Sequence, residues 1–403
     1  MICRSMPDGT NLSLLSFGIM RLPTTTTKNA PSTEDIDMAA ATAMVDRALE
    51  AGINYFDTAW PYHDGQSETF LGEALVARHP RNSFYLATKL PIWEIDSPQQ
   101  ADELFARQLS KLQTDHVDFY LMHALDGERL DHIVSAGLLQ WALDLKAAGA
   151  IKRLGFSFHG TVEDMQRILA AHDWEFGQIQ LNYLDWDLQH AGKLYQLLVD
   201  NKVPVMIMEP VRGGKLASLA PKAEAILKKQ HPGRSIASWA FRFAGGLPEV
   251  VTVLSGMSTM QQLEDNLATF SVSEKDLPLS EGEKFALDEA LEASNLAAAI
   301  PCTACKYCMP CPYDVDIAGV FGSYNAWKMG GSAFGYKMGL RALGEDAQAE
   351  NCISCGDCEP LCPQHIEISE YMEKIATENE TLMTVDEFRA ERAEIIAKRE
   401  AEV

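Results

Sequence analysis

The sequence predicts an α/β protein in which a (β/α)8 barrel of the TIM-barrel class precedes a smaller, mostly helical, cysteine-rich domain. Three observations favour this architecture. Eight short apolar runs alternate with helix-length segments over the first two thirds of the chain, as in a closed parallel barrel. No GxGxxG motif follows any of these runs, which disfavours a dinucleotide-binding Rossmann domain. Eight of the nine cysteines lie between Cys302 and Cys362.

The eight apolar runs have the length and composition of buried strands. We expect strands at 15–20, 53–58, 84–89, 117–123, 151–157, 177–182, 204–209 and 250–255. Between them, apolar residues recur at three- and four-residue spacing, which predicts amphipathic helices. A threonine-rich stretch at 23–33 should lie at the carboxyl-end rim of the barrel, either as a lid or as a solvated insertion.

Composition and charge restrict the class of partner. The formal net charge of −23 argues against nucleic acid or an anionic membrane, because both require a cationic surface. The first ten residues lack the apolar core of a signal peptide, and no run of about 18 apolar residues occurs. We therefore expect a cytoplasmic protein with no membrane segment.

Polar side chains end three neighbouring predicted strands. Asp57 ends the second strand and Tyr62 follows in the next loop, while Lys89 ends the third strand and His123 the fourth. In a parallel barrel these ends converge on one mouth. An unpaired buried carboxylate is costly, so Asp57 needs a cation, which Lys89 can supply. Each residue alone has a structural explanation, such as helix capping by Asp57, but together they predict a catalytic site.

These residues resemble the aldo-keto reductase family. The similarity runs from about residue 12 to 275 and comprises Phe56 to Ala59 with Tyr62, Ala87 to Lys89, Leu121 to His123, Gly155 to Ser157, Gln180 with Asn182 and Tyr183, and Gly256 to Asn266. The resemblance implies a barrel domain over residues 1–278. It also implies a nicotinamide dinucleotide cofactor bound without a Rossmann fold.

The chemistry of carbonyl reduction explains why four polar groups would meet. It requires hydride at carbon and a proton at oxygen, and a phenol with a pKa of about 10 is a poor acid at neutral pH. Lys89 would favour loss of the Tyr62 proton, and Asp57 would hold Lys89 charged. His123 would donate a hydrogen bond to the carbonyl oxygen. Tyr62 would then be the acid in reduction, or the base in oxidation, of a small carbonyl or alcohol substrate.

The resemblance also implies which residues bind NAD(P)H. Ser157 and Gln180 would contact the nicotinamide carboxamide. Phe158 stands where many family members carry asparagine, so that contact is expected to be lost or replaced.

The choice between NADH and NADPH stays open. Gly256 and Gln262 stand where many members place cations that bind the 2′-phosphate of NADPH, and phosphate recognition normally needs Arg or Lys. Arg212 or Lys215, after the seventh strand, is the alternative source of charge.

Eight cysteines form two runs near the carboxyl terminus. They are Cys302, Cys305, Cys308 and Cys311, followed by Pro312, and Cys352, Cys355, Cys358 and Cys362, followed by Pro363. Three cysteines at two-residue intervals, then a fourth and proline, are typical of ferredoxin loops around an iron–sulfur cube. Zinc is the competing interpretation, but it favours two separated cysteine pairs. We expect two 4Fe-4S clusters in a helical, dicluster ferredoxin-like domain over residues 279–403.

The resemblance to two-cluster ferredoxins implies that the fourth cysteine of each run serves the other cluster. Cys302, Cys305 and Cys308 would then share a cluster with Cys362, and Cys352, Cys355 and Cys358 with Cys311. Only two residues separate Cys308 from Cys311, rather than three, which leaves the crossing open.

Three functions fit this combination. The first is an NAD(P)H-dependent oxidoreductase that interconverts a carbonyl and an alcohol, with clusters that exchange electrons with a flavoprotein or ferredoxin. Such a partner is expected because nicotinamides transfer two electrons, each cluster moves one, and flavin is the usual converter. The second is the same reductase with structural or redox-sensing clusters. The third is a non-catalytic docking subunit of a redox complex.

Overall fold

The chain folds into two compact units, which we call the barrel unit and the cysteine-rich unit. The computed structural model describes residues 1–25, 36–294, 300–329 and 332–390. The barrel unit comprises Met1–Ser218 and Lys228–Leu287, and the cysteine-rich unit comprises Leu219–Leu227 and the chain from Asp288 onward. Most of the predicted rim loop, from residue 26 to residue 33, lies outside the described residues.

A short antiparallel hairpin, which the sequence did not predict, precedes the barrel. Strand β1 (Cys3–Ser5) pairs with β2 (Asn11–Ser13). Met6 and Leu12 of this hairpin are buried against the apolar side chains inside the barrel. Arg4 Nη1 donates a 2.6 Å hydrogen bond to the carbonyl oxygen of Val250, at the start of a barrel strand. The hairpin therefore covers the end of the barrel opposite the predicted site.

Eight parallel strands close into the barrel. They are β3 (Leu15–Gly18), β4 (Tyr55–Asp57), β5 (Tyr85–Leu90), β6 (Val117–Leu125), β7 (Ile151–Phe158), β8 (Gly177–Gln180), β9 (Val205–Met208) and β10 (Val250–Ser255). Each strand pairs with the next, and β10 also pairs with β3. This confirms the predicted (β/α)8 fold, with strand ends shifted by one or two residues.

Helices alternate with the strands. They are α1 (Met38–Glu50), α2 (Ser67–Leu71), α3 (Pro98–Leu112), α4 (Gly127–Ser135), α5 (Leu138–Ala147), α6 (Val162–Ala171), α7 (Asp185–Leu188), α8 (Ala191–Asp200), α9 (Pro221–Gln230), α10 (Ile236–Gly245), α11 (Met260–Phe270) and α12 (Glu281–Ser294). Several begin at side-chain caps: Ser97 and Asp126 accept backbone hydrogen bonds at α3 and α4, and Thr161 forms a capping box at α6. Such caps satisfy backbone N–H groups that have no partner within the helix.

The two-residue period of the strands decides which side chains enter the barrel. Tyr55, Ala87 and Leu121 belong to the apolar cluster inside it, whereas the adjacent residues Phe56, Leu86 and Tyr120 belong to the outer core. Asp57, Lys89 and His123 each follow one of these interior residues by two positions. All three side chains therefore face the interior near the carboxyl ends of their strands.

The cysteine-rich unit is mostly helical, as predicted. Its helices beyond residue 300 whose two ends are both described are α13 (Ile317–Lys328), α14 (Ala333–Leu343) and α15 (Ile368–Glu380). They have an apolar core of their own, which includes Val315, Phe321, Ile366 and Met372. In neither unit is a described helix long and apolar enough to cross a membrane.

Candidate active site and cluster-binding loops

A buried ion pair lies at the centre of the candidate active site. Lys89 Nζ donates hydrogen bonds to Asp57 Oδ1 at 2.6 Å, to the carbonyl oxygen of Thr58 at 2.8 Å and to Tyr62 Oη at 3.3 Å. Lys89 and Asp57 are 1% and 2% exposed. The structure thus brings together three of the four residues predicted to be catalytic.

Burial and pairing act in opposite directions on the two charges. Burial raises the pKa of Asp57 and lowers the pKa of Lys89, and in each case the partner opposes that shift. Either charge alone would be strongly disfavoured here, because no solvent compensates it. The ion pair is therefore the condition under which both groups remain charged beside Tyr62.

His123, the fourth predicted residue, lies across from Tyr62. Their ring centroids are 6.2 Å apart, with the planes at 83°. Burial, and then the charge of Lys89, lower the pKa of His123 well below its ordinary value. At neutral pH the imidazole is therefore uncharged and can donate only one ring N–H.

Trp93 also belongs to this site, and the sequence analysis missed it. Its ring centroid lies 5.0 Å from that of His123, and the residue is 41% exposed. Its position in the sequence could have indicated this role, because Trp93 follows the strand-end residue Lys89 by only four residues. Trp93 covers one side of His123 and supplies an apolar surface at the mouth.

A buried polar network supports the strand that carries Lys89. Gln108 Nε2 donates to the carbonyl oxygen of Lys89 at 2.9 Å and to Glu68 Oε1 at 2.8 Å. Thr88 Oγ1 donates to the same Glu68 oxygen at 2.6 Å, and Tyr120 Oη donates to Gln108 Oε1 at 2.8 Å. Gln108, from α3, thus connects the backbone of Lys89 to neighbouring elements. The sequence analysis did not single out Gln108, although it is a glutamine on an otherwise apolar face of its helix.

The two predicted carboxamide contacts lie at the ends of β7 and β8. Ser157 is buried, and its Oγ accepts a 2.8 Å hydrogen bond from the Ala124 amide, which leaves the hydroxyl hydrogen able to donate. Gln180 Nε2 donates to Asp185 Oδ2 at 2.8 Å and to Gln189 Oε1 at 2.9 Å. Both amide hydrogens of Gln180 are used, so it can meet a carboxamide only through its oxygen.

Arg212 lies in a buried ion pair rather than at the surface. Its Nε is 3.3 Å from Asp185 Oδ1, and the two side chains are 1% and 0% exposed. Asn182 Nδ2 donates to Asp185 Oδ2 at 2.7 Å and to the carbonyl oxygen of Glu209 at 3.1 Å. Arg212 therefore stabilises the carboxylate that positions Gln180 and Asn182.

The two cysteine runs share an uncommon backbone conformation. Ala304 and Lys306, on either side of Cys305, have φ of 55° and 65°, and Ser354 and Gly356, on either side of Cys355, have φ of 57° and 80°. Few non-glycine residues adopt positive φ. When residues in right-handed and left-handed helical conformations alternate along the backbone, their N–H groups form a concave array. Such arrays are found at many iron–sulfur sites. The Ala304 amide already donates to Cys302 Sγ at 3.3 Å, so both loops fit a cluster.

Each run also ends in the same way. The Asp314 amide donates to the carbonyl oxygen of Cys311, and the His365 amide donates to that of Cys362, both at 3.0 Å. Helices α13 and α15 follow these turns at the same distance from the fourth cysteine. The two runs are therefore structural repeats despite their unequal spacing before that cysteine.

Interactions among the thiols link the two runs. Burial raises the pKa of Cys308, and the neighbouring Cys305, Cys302, Cys362 and Cys358 raise it further. Burial, Glu359, Cys352 and Cys355 act in the same direction on Cys358 and raise its pKa to about 11. Cys308 of the first run thus lies near Cys362, the last cysteine of the second run, and near Cys358.

A single zinc ion requires its ligands to converge on one point, at about 2.3 Å for sulfur. Among the described residues, no group of three or more His, Cys, Asp or Glu side chains is placed to hold one metal ion. The spacing of the cysteines, three at two-residue intervals and then a fourth before proline, is the pattern of iron–sulfur loops.

Comparison with known proteins identifies both parts of the chain. Residues 14–281 match the model of the aldo/keto reductase family. The chain belongs to this family, and it is therefore an oxidoreductase. Residues 301–367 match the model of a 4Fe-4S dicluster domain, which confirms that an iron–sulfur domain follows the reductase domain.

Several characterised relatives share the reductase region. L-galactose dehydrogenase of Arabidopsis thaliana is 28% identical over 251 residues, which cover 57% of this chain and 77% of the relative. Methylglyoxal reductase YeaE of Escherichia coli is 27% identical over 257 residues, which cover 61% and 82%.

Solved structures show the same fold. The holo form of an aldo-keto reductase from Bacillus halodurans superposes with a TM-score of 0.59 at 24% identity, covering 72% of this chain and 96% of that one. An aldo-keto reductase from Klebsiella pneumoniae in complex with NADPH superposes with a TM-score of 0.56 at 20% identity, covering 72% and 95%.

Removing one member of the ion pair should destabilise this aldo/keto reductase more than removing both. We expect Lys89→Met to lower the free energy of unfolding of the barrel by about 3–5 kcal/mol, because Asp57 is then left buried and uncompensated. The double variant Asp57→Asn with Lys89→Met should lose less. Urea denaturation followed by tryptophan fluorescence measures both values. A double variant at least as unstable as the single one would contradict this account.

Proposed function

We propose that this aldo/keto reductase interconverts a small carbonyl compound and its alcohol with NAD(P)H, and that its iron–sulfur domain exchanges electrons with a redox partner. The 3.3 Å contact between Lys89 Nζ and Tyr62 Oη, next to the buried Asp57 carboxylate, carries the catalytic part of the proposal. A phenol in hydrogen-bond contact with an ammonium is suited to give up and regain a proton.

The four residues have separate tasks in carbonyl reduction. When bound, the reduced nicotinamide supplies hydride to the carbonyl carbon. Tyr62 Oη gives its proton to the carbonyl oxygen, and Lys89 stabilises the phenolate that remains. Asp57 keeps Lys89 charged and oriented. Neutral His123 donates a hydrogen bond to the same oxygen, where negative charge develops. In alcohol oxidation the Tyr62 phenolate accepts the proton instead.

The geometry also supports specific cofactor contacts. The Ser157 hydroxyl would donate to the carboxamide oxygen, and the Gln180 oxygen would accept from the carboxamide nitrogen. Arg212, through Asp185, would act as a positioning residue for Gln180 rather than as a direct phosphate ligand. Because Gly256 and Gln262 are uncharged and Arg212 is buried, both NADH and NADPH should be assayed.

Two 4Fe-4S clusters would be held with crossed fourth ligands. One would take Cys302, Cys305, Cys308 and Cys362, and the other would take Cys352, Cys355, Cys358 and Cys311. The interaction of Cys308 with Cys362 supports the crossing. Each cluster supplies one-electron chemistry when bound, so it would exchange electrons with a flavoprotein or a ferredoxin, and a flavin is the usual converter between one-electron and two-electron hydride chemistry. The reducing cytoplasm, where thiols persist, is the proposed location.

One observation favours a second candidate, in which the clusters are structural. Cys362 is 8% exposed and belongs to the apolar core of the cysteine-rich unit, so its ligation would also help to hold that core together. The two candidates differ in whether NAD(P)H and substrate ever change the oxidation state of the clusters, which anaerobic absorption spectroscopy detects.

Loss of the Tyr62 hydroxyl should abolish most carbonyl reduction. We expect Tyr62→Phe to lower kcat by about 10²–10⁴-fold, the usual contribution of a general acid, while the Kd for NADH or NADPH stays unchanged. Steady-state assays on a panel of aldehydes and ketones, with fluorescence titration of the cofactor, measure both. Tyr195→Phe, in α8, is the matched control. Normal carbonyl reduction by Tyr62→Phe would contradict the proposed role of Tyr62, whereas no turnover of any carbonyl by the wild-type protein would favour the docking-subunit interpretation.

The acid side of the pH profile should lack an ordinary histidine step. Burial and Lys89 lower the pKa of His123 well below 6.5, so protonation, which would add a second cation beside Lys89, begins only at lower pH. We expect kcat/KM for carbonyl reduction to show no inflection near pH 6.5. An inflection there that disappears in His123→Gln would show that the imidazole titrates normally.

Metal analysis tests the cluster assignment. Full-length protein purified anaerobically should contain about eight irons and eight sulfides per chain, as two 4Fe-4S clusters require, and no stoichiometric zinc. Cys362→Ser should disturb the cluster of the first run, and Cys311→Ser that of the second. About four irons, or zinc in their place, would contradict the two-cluster proposal.

A further inference from the structure

The two proposed cluster sites differ in their distance from solvent. At the site of the first run, the fourth ligand Cys362 is buried, whereas at the other site Cys355 is exposed. Cys311, Cys352 and Cys358 are half-buried. Cys302, Cys305 and Cys308 are half-buried too, so of the two proposed sites the second is the one with a ligand thiol exposed to a carrier protein.

Large apolar side chains surround the opening of this second site. Tyr313, Ile353 and Leu361 are 46%, 57% and 48% exposed, and all three line the same cavity as Cys311 and Cys355. Isolated exposed apolar residues are common, but a contiguous group around a cavity marks an interaction surface. We call these three residues the apolar patch.

Acidic residues border the apolar patch. The stretches 311–316 and 352–362, which bear the second site, contain four acidic residues and neither lysine nor arginine. Asp314 is exposed next to Tyr313, and Asp357 is exposed next to Cys358. With a chain charge of −23, this surface repels a second copy of the protein and attracts a basic one.

We propose that the apolar patch, bordered by Asp314 and Asp357, is the docking site of a basic one-electron carrier protein. The inference rests on the proposed function, because it requires clusters that are present and redox-active. One electron leaves the cluster bound by Cys352, Cys355, Cys358 and Cys311 and reduces the carrier. The cluster is oxidised by one electron, and no bond forms or breaks.

Cytochrome c is a suitable probe, because it is a basic protein whose haem edge is ringed by lysines. Full-length holoprotein with its iron and sulfide counted is reduced anaerobically with dithionite, freed of excess dithionite and mixed with ferricytochrome c in a stopped-flow instrument at several salt concentrations. Binding of cytochrome c to the oxidised holoprotein is measured separately by calorimetry. A small uncharged quinone serves as an electron acceptor that needs no docking surface.

Two double variants test the two parts of the surface. Asp314→Asn with Asp357→Asn should lower the second-order rate constant about tenfold at low salt and flatten its salt dependence, because electrostatic steering is lost. Ile353→Ser with Leu361→Ser should weaken binding about tenfold with little change in salt dependence. The controls are Asp288→Asn and Phe285→Ser, both at exposed positions elsewhere, which should behave as wild type.

The possible outcomes distinguish failure of the docking site from failure of the proposed function. Variants that keep their iron and reduce the quinone normally, yet bind and reduce cytochrome c poorly, support the docking site. If they bind and reduce cytochrome c as wild type does, the docking site is wrong while the proposed function stands. If wild-type protein holds no clusters, or its reduced clusters do not reduce even the quinone, both proposals fail.

Discussion

The active site depends on one physical constraint, which is that Lys89 and Asp57 can be charged inside the barrel only as a pair. Two charges that are almost completely buried meet at 2.6 Å, and neither has water to replace its partner. The same lysine donates to Tyr62, so the charge that the pair preserves is the one that acts on the phenol. Neutral His123 and the apolar ring of Trp93 complete the candidate site around Tyr62.

Support for this pair comes from elements that take no part in the chemistry. Gln108 holds the backbone of Lys89 through its carbonyl oxygen and is itself held by Glu68 and Tyr120. On the other side of the mouth, Asp185 has a comparable role, since it joins Arg212 to Gln180. Buried polar groups with satisfied hydrogen bonds make such sites rigid, which matters for an acid that must sit within hydrogen-bond reach of its substrate.

The cysteine-rich unit reaches its geometry by another route. Its loops are too short to contain a regular element, and positive φ on both sides of Cys305 and Cys355 curves them. Each of the two loops is followed by a helix, and Cys308 of the first loop lies near Cys362 of the second. A domain of the 4Fe-4S dicluster class thus follows a reductase barrel in one chain, which raises the question of how two-electron and one-electron chemistry are joined.

The sequence by itself determined the class of each unit, and it predicted the group of residues that meets at the candidate active site. Local sequence patterns were sufficient for these predictions, because strand periodicity, polar residues at strand ends and cysteine spacing are all short-range signals. The eight strands and the positions of Asp57, Lys89 and His123 followed from them. The hairpin Cys3–Ser5 with Asn11–Ser13, the packing of Trp93 on His123 and the support by Gln108 were decided by tertiary structure. So was the burial of Arg212 beside Asp185. Those features join residues far apart in the chain, and no local pattern states which distant partner a side chain will meet.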